Sequence, residues 1–117
     1  MGKAKSALKS QEEALARARA VVEKAASICA ERGWRLAGAY LVGSRARGDY
    51  TADSDVDLVL VVEGVKGLNA LERLEAFKEA LAPGVEIRVY TPEEWMGNGV
   101  WMRSLRKEAK PLWDSFK

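Results

Sequence analysis

With 117 residues the chain is the size of one domain and long enough to bury a core without disulfide or metal staples. Nineteen Lys and Arg against 17 Asp and Glu leave a mixed +2, so nucleic acid is not an expected partner; a lone cysteine excludes an intramolecular disulfide, and the lack of histidine excludes His-based catalysis and His metal ligands. No apolar run approaches the roughly 20 residues that span a bilayer, and the N-terminal MGKAKSALKSQEEA lacks the apolar core of a signal peptide, so no membrane association and a cytoplasmic location are expected.

Residues 5–32 carry a helical pattern. Leu8, Leu15, Ala18, Val22, Ala25 and Cys29 recur at three- and four-residue steps, charges fill the opposite face, and Gly33 is a natural stop. Trp34 to Val42 reads as a strand, with Gly38 marking a bulge or close packing. Val56 to Val62 reads as a second, buried strand. Leu68 to Leu81 predicts a helix with Leu68, Leu71, Leu74, Phe77 and Leu81 on one face, ended by Pro83-Gly84. Val85 to Tyr90 alternates as a third strand, with Glu86, Arg88 and Tyr90 on its polar side. Thr91-Pro92-Glu93-Glu94 is a helix start, with Thr91 as cap, Pro92 in the first position and Glu94 in the third. Gly97-Asn98-Gly99 interrupts it, Val100 to Ala109 predicts a last helix, and Pro111 to Asp114 predicts a short edge strand. The order gives an α+β (α/β) domain over residues 1–117: a long N-terminal helix 5–32, a core 34–90 and C-terminal helices 91–109.

The chemistry concentrates between the first two strands, in LVGSRARGDYTADSDVDLVLVV, residues 41–62. Gly43 lets the backbone approach a ligand, Ser44 offers a hydroxyl, and Arg45 and Arg47 bring fixed positive charge. Asp55 and Asp57 are two apart at the mouth of a strand, so both leave the same face, and a divalent cation relieves their repulsion. Phosphate donors facing cation ligands fit a nucleoside triphosphate.

Gly43-Ser44, ten residues and then Asp55-x-Asp57 resembles the nucleotidyltransferase superfamily that includes DNA polymerase beta, and GSRARGDYTADSDVDL is similar to its minimal nucleotidyltransferase (MNT) branch. The resemblance implies a nucleotidyltransferase fold, with a mixed sheet of three to five strands and helices packed mainly on one side. It implies two Mg²⁺ ions held by Asp55, Asp57 and a third acid, and Glu86 is the only acid inside the third strand. The family more often has Asp there. Gly43, Ser44, Arg47 and Arg45 would bind the nucleotide, Arg47 matching the family's Ala-Arg-Gly element. The implied activity is transfer of a nucleoside monophosphate, AMP from ATP, to a hydroxyl acceptor. The MNT branch often pairs with a small helical HEPN-family protein, which implies a toxin–antitoxin system in which this chain adenylylates its partner. A non-catalytic nucleotide- or partner-binding subunit and a small-molecule (antibiotic-type) transferase are the alternatives, and a homo-oligomer stays open. Trp95, Trp101, Met102 and Trp113 gather near the C-terminus, as sheet packing or as an interface.

Overall fold

The computed structural model describes the backbone of residues 2–114 and the side chains of residues 10–113. A long helix, α1 (Gly2–Arg32), leads into strand β1 (Arg35–Val42), and a single-turn helix α2 (Ser44–Arg47) follows. Then come β2 (Val56–Glu63), α3 (Ala70–Ala76) with a 3-10 turn at Lys78–Ala80, and β3 (Val85–Tyr90). Helices α4 (Pro92–Trp95) and α5 (Val100–Glu108) and strand β4 (Lys110–Asp114) complete the chain. The four strands form one mixed sheet in the order β3-β2-β1-β4, with β1 antiparallel to β2 and β4, and β2 parallel to β3. This is an α+β domain with a mixed sheet of four strands, within the three to five expected, and no helix among the described residues is long and apolar enough to cross a membrane.

Why α1 lies flat on the sheet is written in its small residues. Ala14, Ala18, Val21, Val22, Ala25 and Cys29 are all buried, and the alanines let the helix approach closely. The side chain of Leu8, expected on the same stripe, lies outside the described residues. The helix ends as Gly33 turns left-handed at φ 73°, and the Trp34 amide donates back to the Cys29 carbonyl. Burial pushes the Cys29 thiol up to about 11, so it serves as a small core hydrophobe.

Two cores result. Leu36, Ala39, Leu41, Leu58, Leu60 and Val62 face α1, together with Phe77 and Ala80. The opposite face carries Val42, Val59 and Val61, covered in part by Trp95 of α4 and Leu105 of α5. A bulge between Leu36 and Gly38 shifts the β1–β2 register, and the Tyr40 ring fills the space beside Gly38, 3.0 Å from where a Cβ would stand. The tryptophans divide between the faces. Trp95 stacks on Tyr40 and lies parallel to Tyr90, while Trp113 and Trp34 join the α1 core.

The helix expected over 68–81 is shorter and rotated. The Asn69–Glu72 capping box starts it at Ala70, and Arg73 is the residue buried, while Leu71, Leu74 and Leu81 are exposed. The cause is an ion pair. Arg73 donates to Glu94 at 2.6 Å and to the carbonyls of Val65 and Val89, and Glu94 is itself the acceptor in the Thr91 capping box. A guanidinium with that many partners turns this face inward, at the cost of three leucines left in solvent.

Candidate active site

Strand register brings the acids together. Val42 of β1 lies opposite Asp57 of β2, and Asp57 lies beside Glu86 of β3, so the three form one row across the sheet. The next row on the same face is Tyr40, Val59 and Arg88. Asp57 and Glu86 therefore share a face, as the alternation in β3 predicts. A side-chain hydrogen bond couples the Asp57 and Glu86 carboxyls. The Asp57 carboxyl titrates above the ordinary range, first because burial penalises its charge, then through that bond and repulsion from Glu86; Arg88 opposes the shift and Asp55 adds slightly to it.

Asp55 stands one step before β2 and is exposed. Its carboxylate lies 4.0 Å from the point where a Cβ on Gly84 would stand, and the Arg17 guanidinium is 3.6 Å from that same point. Among the described residues no three acidic, Cys or His side chains come close enough to form a cation site, so the free chain presents a pair and not the triad expected. The strand ladder fixes Asp57 and Glu86, whereas Asp55 precedes the first residue that the ladder holds. The pair nevertheless fits a divalent cation of the magnesium type: two crowded carboxylates, one carrying a raised pKa, open to water and phosphate for the remaining ligands.

Gly43 ends β1 directly against Asp57. Its φ of 79° and ψ of −160° lie in a region essentially reserved for glycine, and a Cβ there would collide with the Asp57 carboxylate. Ser44 opens α2, and Gly48 closes it in the left-handed conformation. Gly43, Ser44, Arg47 and Asp57 line a cleft of about 330 Å³. Its other walls are Arg88 of β3 and the α5 residues Trp101, Ser104, Leu105 and Glu108. The Glu108 carboxylate accepts from the Gly43 amide and from Arg47, at 3.2 and 3.4 Å for the latter. Arg47 also donates to Asp49, and both bonds strengthen its hold on the proton.

Arg45 belongs elsewhere. It is buried away from the cleft, and its guanidinium donates to the carbonyls of Ser54 and Ala52 and to Gln11 and Ser10 of α1, at 2.9–3.3 Å. The Tyr50 ring covers it at 5.1 Å. Ser54 closes the same loop by accepting from the Thr51 amide. Arg45 thus fastens the ten-residue loop to α1, and the sign of its charge alone could not separate that role from phosphate binding. Arg45→Met is expected to cost about 3 kcal/mol, because several charge-assisted bonds made by one buried guanidinium are lost together. A urea-unfolding midpoint lowered accordingly is the check.

Sequence reasoning did not single out Glu108, Trp101 or Arg88 for the site. Arg88 was within reach, since it alternates with Glu86. Glu108 and Trp101 arrive through the packing of α5, which leaves no local sequence signal.

A family model of the nucleotidyltransferase domain matches residues 22–108, which contain the Gly-Ser bend, both aspartates and Glu86. The chain belongs to that family. The crystal structure of a proposed nucleotidyltransferase from Sulfolobus solfataricus is similar to it, with a TM-score of 0.77 and 30% sequence identity, covering 100% of this chain and 95% of that one. No curated protein is significantly similar in sequence. Nucleotidyl transfer is the chemistry of the nucleotidyltransferase family, with a nucleoside triphosphate as substrate and usually a divalent cation.

Proposed function

We propose that the chain transfers a nucleoside monophosphate, AMP from ATP, to a hydroxyl on a separate protein, as the MNT-type member of a pair with a HEPN-like helical protein. The observation that carries the catalytic part is the placement of Gly43 against Asp57 in one cleft, with Glu86 beside Asp57 on the neighbouring strand. A nucleotide's phosphates and its cation ligands are thereby within one short span.

Asp57 and Glu86 would hold Mg²⁺, with Asp55 as a further carboxylate at the rim. A bound divalent cation neutralises phosphate charge and favours ionisation of the attacking hydroxyl. The Gly43 amide, the Ser44 hydroxyl and the Arg47 guanidinium take the leaving end of the triphosphate. The acceptor hydroxyl gives up its proton to water, its oxygen forms a bond to the α-phosphorus, the bond from that phosphorus to the bridging oxygen breaks, and pyrophosphate departs with the electron pair. The chain's contribution is position and fixed charge. The protein acceptor rests on the MNT resemblance.

The test is incubation with α-labelled ATP, Mg²⁺ and the product of the neighbouring gene. Label on that protein, absent with Asp57→Asn, is expected. Tight binding without transfer, unchanged in the mutant, would favour a scaffold, and label on a small hydroxyl compound with no partner present would favour a small-molecule acceptor.

A triphosphate at Gly43 and Arg47 has to displace Glu108, which holds the same donors. Glu108→Gln is therefore expected to bind tripolyphosphate several-fold more tightly than the wild type, measured by titration calorimetry. Equal or weaker binding would mean that the phosphates sit elsewhere.

A further inference from the structure

Four residues of α5 line the cleft: Trp101, Ser104, Leu105 and Glu108. Their spacing of three, four and seven puts them on one face of the helix. Glu108 ends this stripe at the phosphate donors Gly43 and Arg47. Trp101 lies seven residues away, about 10 Å along the axis at the rise of an α-helix. An extended nucleoside triphosphate separates its base from its terminal phosphates by a distance of the same order. Asp57, proposed above to act at the α-phosphate, lines the same cleft, with Glu86 beside it on β3.

Trp101 is also the odd tryptophan of this chain. Trp95 is packed into the sheet, and Trp34 and Trp113 pack against the α1 core. Trp101 remains 59% exposed while lining a charged cleft. The Arg88 guanidinium lies 5.2 Å from its ring centroid and steadies it from the sheet side. A large, fixed, solvent-facing indole next to a cation offers a stacking surface for a planar, electron-rich heterocycle.

Given the nucleotidyl-transfer function on which this rests, we propose that Trp101, held by Arg88, is the nucleobase subsite, and that one face of α5 spans the nucleotide from base to triphosphate. Stacking on an indole discriminates weakly between bases, because every base has a π face. The subsite takes purine nucleotides in general, ATP and GTP alike, and pyrimidines less well because they overlap the ring less.

Calorimetric titration of the full chain with ATP and with tripolyphosphate, each with Mg²⁺, separates the two ends. Trp101→Ala is expected to weaken ATP about tenfold or more and to leave tripolyphosphate unchanged, with Trp101→Phe recovering most of the loss. The exposure of Trp101 makes a folding defect an unexpected complication, and circular dichroism of each variant checks for one. ATP binding that is unaltered in Trp101→Ala, or a wild type that binds ATP no better than tripolyphosphate, overturns the base subsite while leaving nucleotidyl transfer standing. A wild type that binds neither ligand overturns both.

Discussion

Asp57→Asn will abolish nucleotidyl transfer and yet make the free protein more stable at neutral pH. The loss should be on the order of a thousandfold, the scale of removing one preorganised charge from a transfer site. The gain follows from the row that Asp57 shares with Glu86. Like charges directly opposite on neighbouring strands oppose folding, by roughly 0.5 kcal/mol for an open pair. The raised Asp57 pKa carries the same message. A carboxyl whose folded pKa lies above its unfolded one, about 4, contributes stability that is complete below the unfolded value and lost as pH rises through the folded one. The wild type should therefore lose this contribution on going from acid toward neutral pH, and Asp57→Asn should remove that part of the slope. Thermal unfolding across pH in the absence of Mg²⁺ measures it, and a variant less stable than wild type at pH 7 would contradict the electrostatic account. Asp55→Asn, at an exposed position that barely influences Asp57, should reduce transfer less and leave the pH slope nearly unaltered.

What the sequence made legible divides along a physical line. Strand alternation put Glu86 on the polar face of β3, and the parallel register to β2 then set it beside Asp57. The cap chemistry at Thr91 was visible because a capping box is a local contact, satisfied within four residues. The rotation of α3 was not visible. Its leucines have helical spacing, but the Arg73–Glu94 pair joins residues 21 apart, and no window along the chain contains that competition. Arg45 and Arg47 show the same limit within a single motif. Both are arginines of one turn, and only the approach of α1, bringing Ser10 and Gln11, makes the first a fastener of the loop and leaves the second on the cleft. Glu108 is further still from local inference, 65 residues from the Gly43 amide that it accepts from.

Gly43→Ala should damage both stability and transfer. Two independent costs meet at this position. The first is conformational: at φ 79° and ψ −160° an alanine Cβ clashes with its own backbone, a penalty of about 1–3 kcal/mol. The second is a contact, since the added methyl would occupy the place of the Asp57 carboxylate. The backbone or the carboxylate has to yield, and Asp57 is the softer of the two. A shift of about 1 Å at a positioned catalytic group is enough to lower turnover roughly a hundredfold. Transfer should therefore fall further than the loss of folded protein explains, and more in kcat than in KM for the nucleotide. The double variant Gly43→Ala with Asp57→Asn should recover little of the stability, because asparagine has nearly the same size as aspartate and the collision persists. Asp57→Gly in the same background should recover more, because it removes the side chain that the methyl strikes. Urea unfolding of the three variants separates strain in the backbone from crowding by Asp57, and a Gly43→Ala protein with wild-type transfer would show that the bend and the carboxylate do not act as one unit.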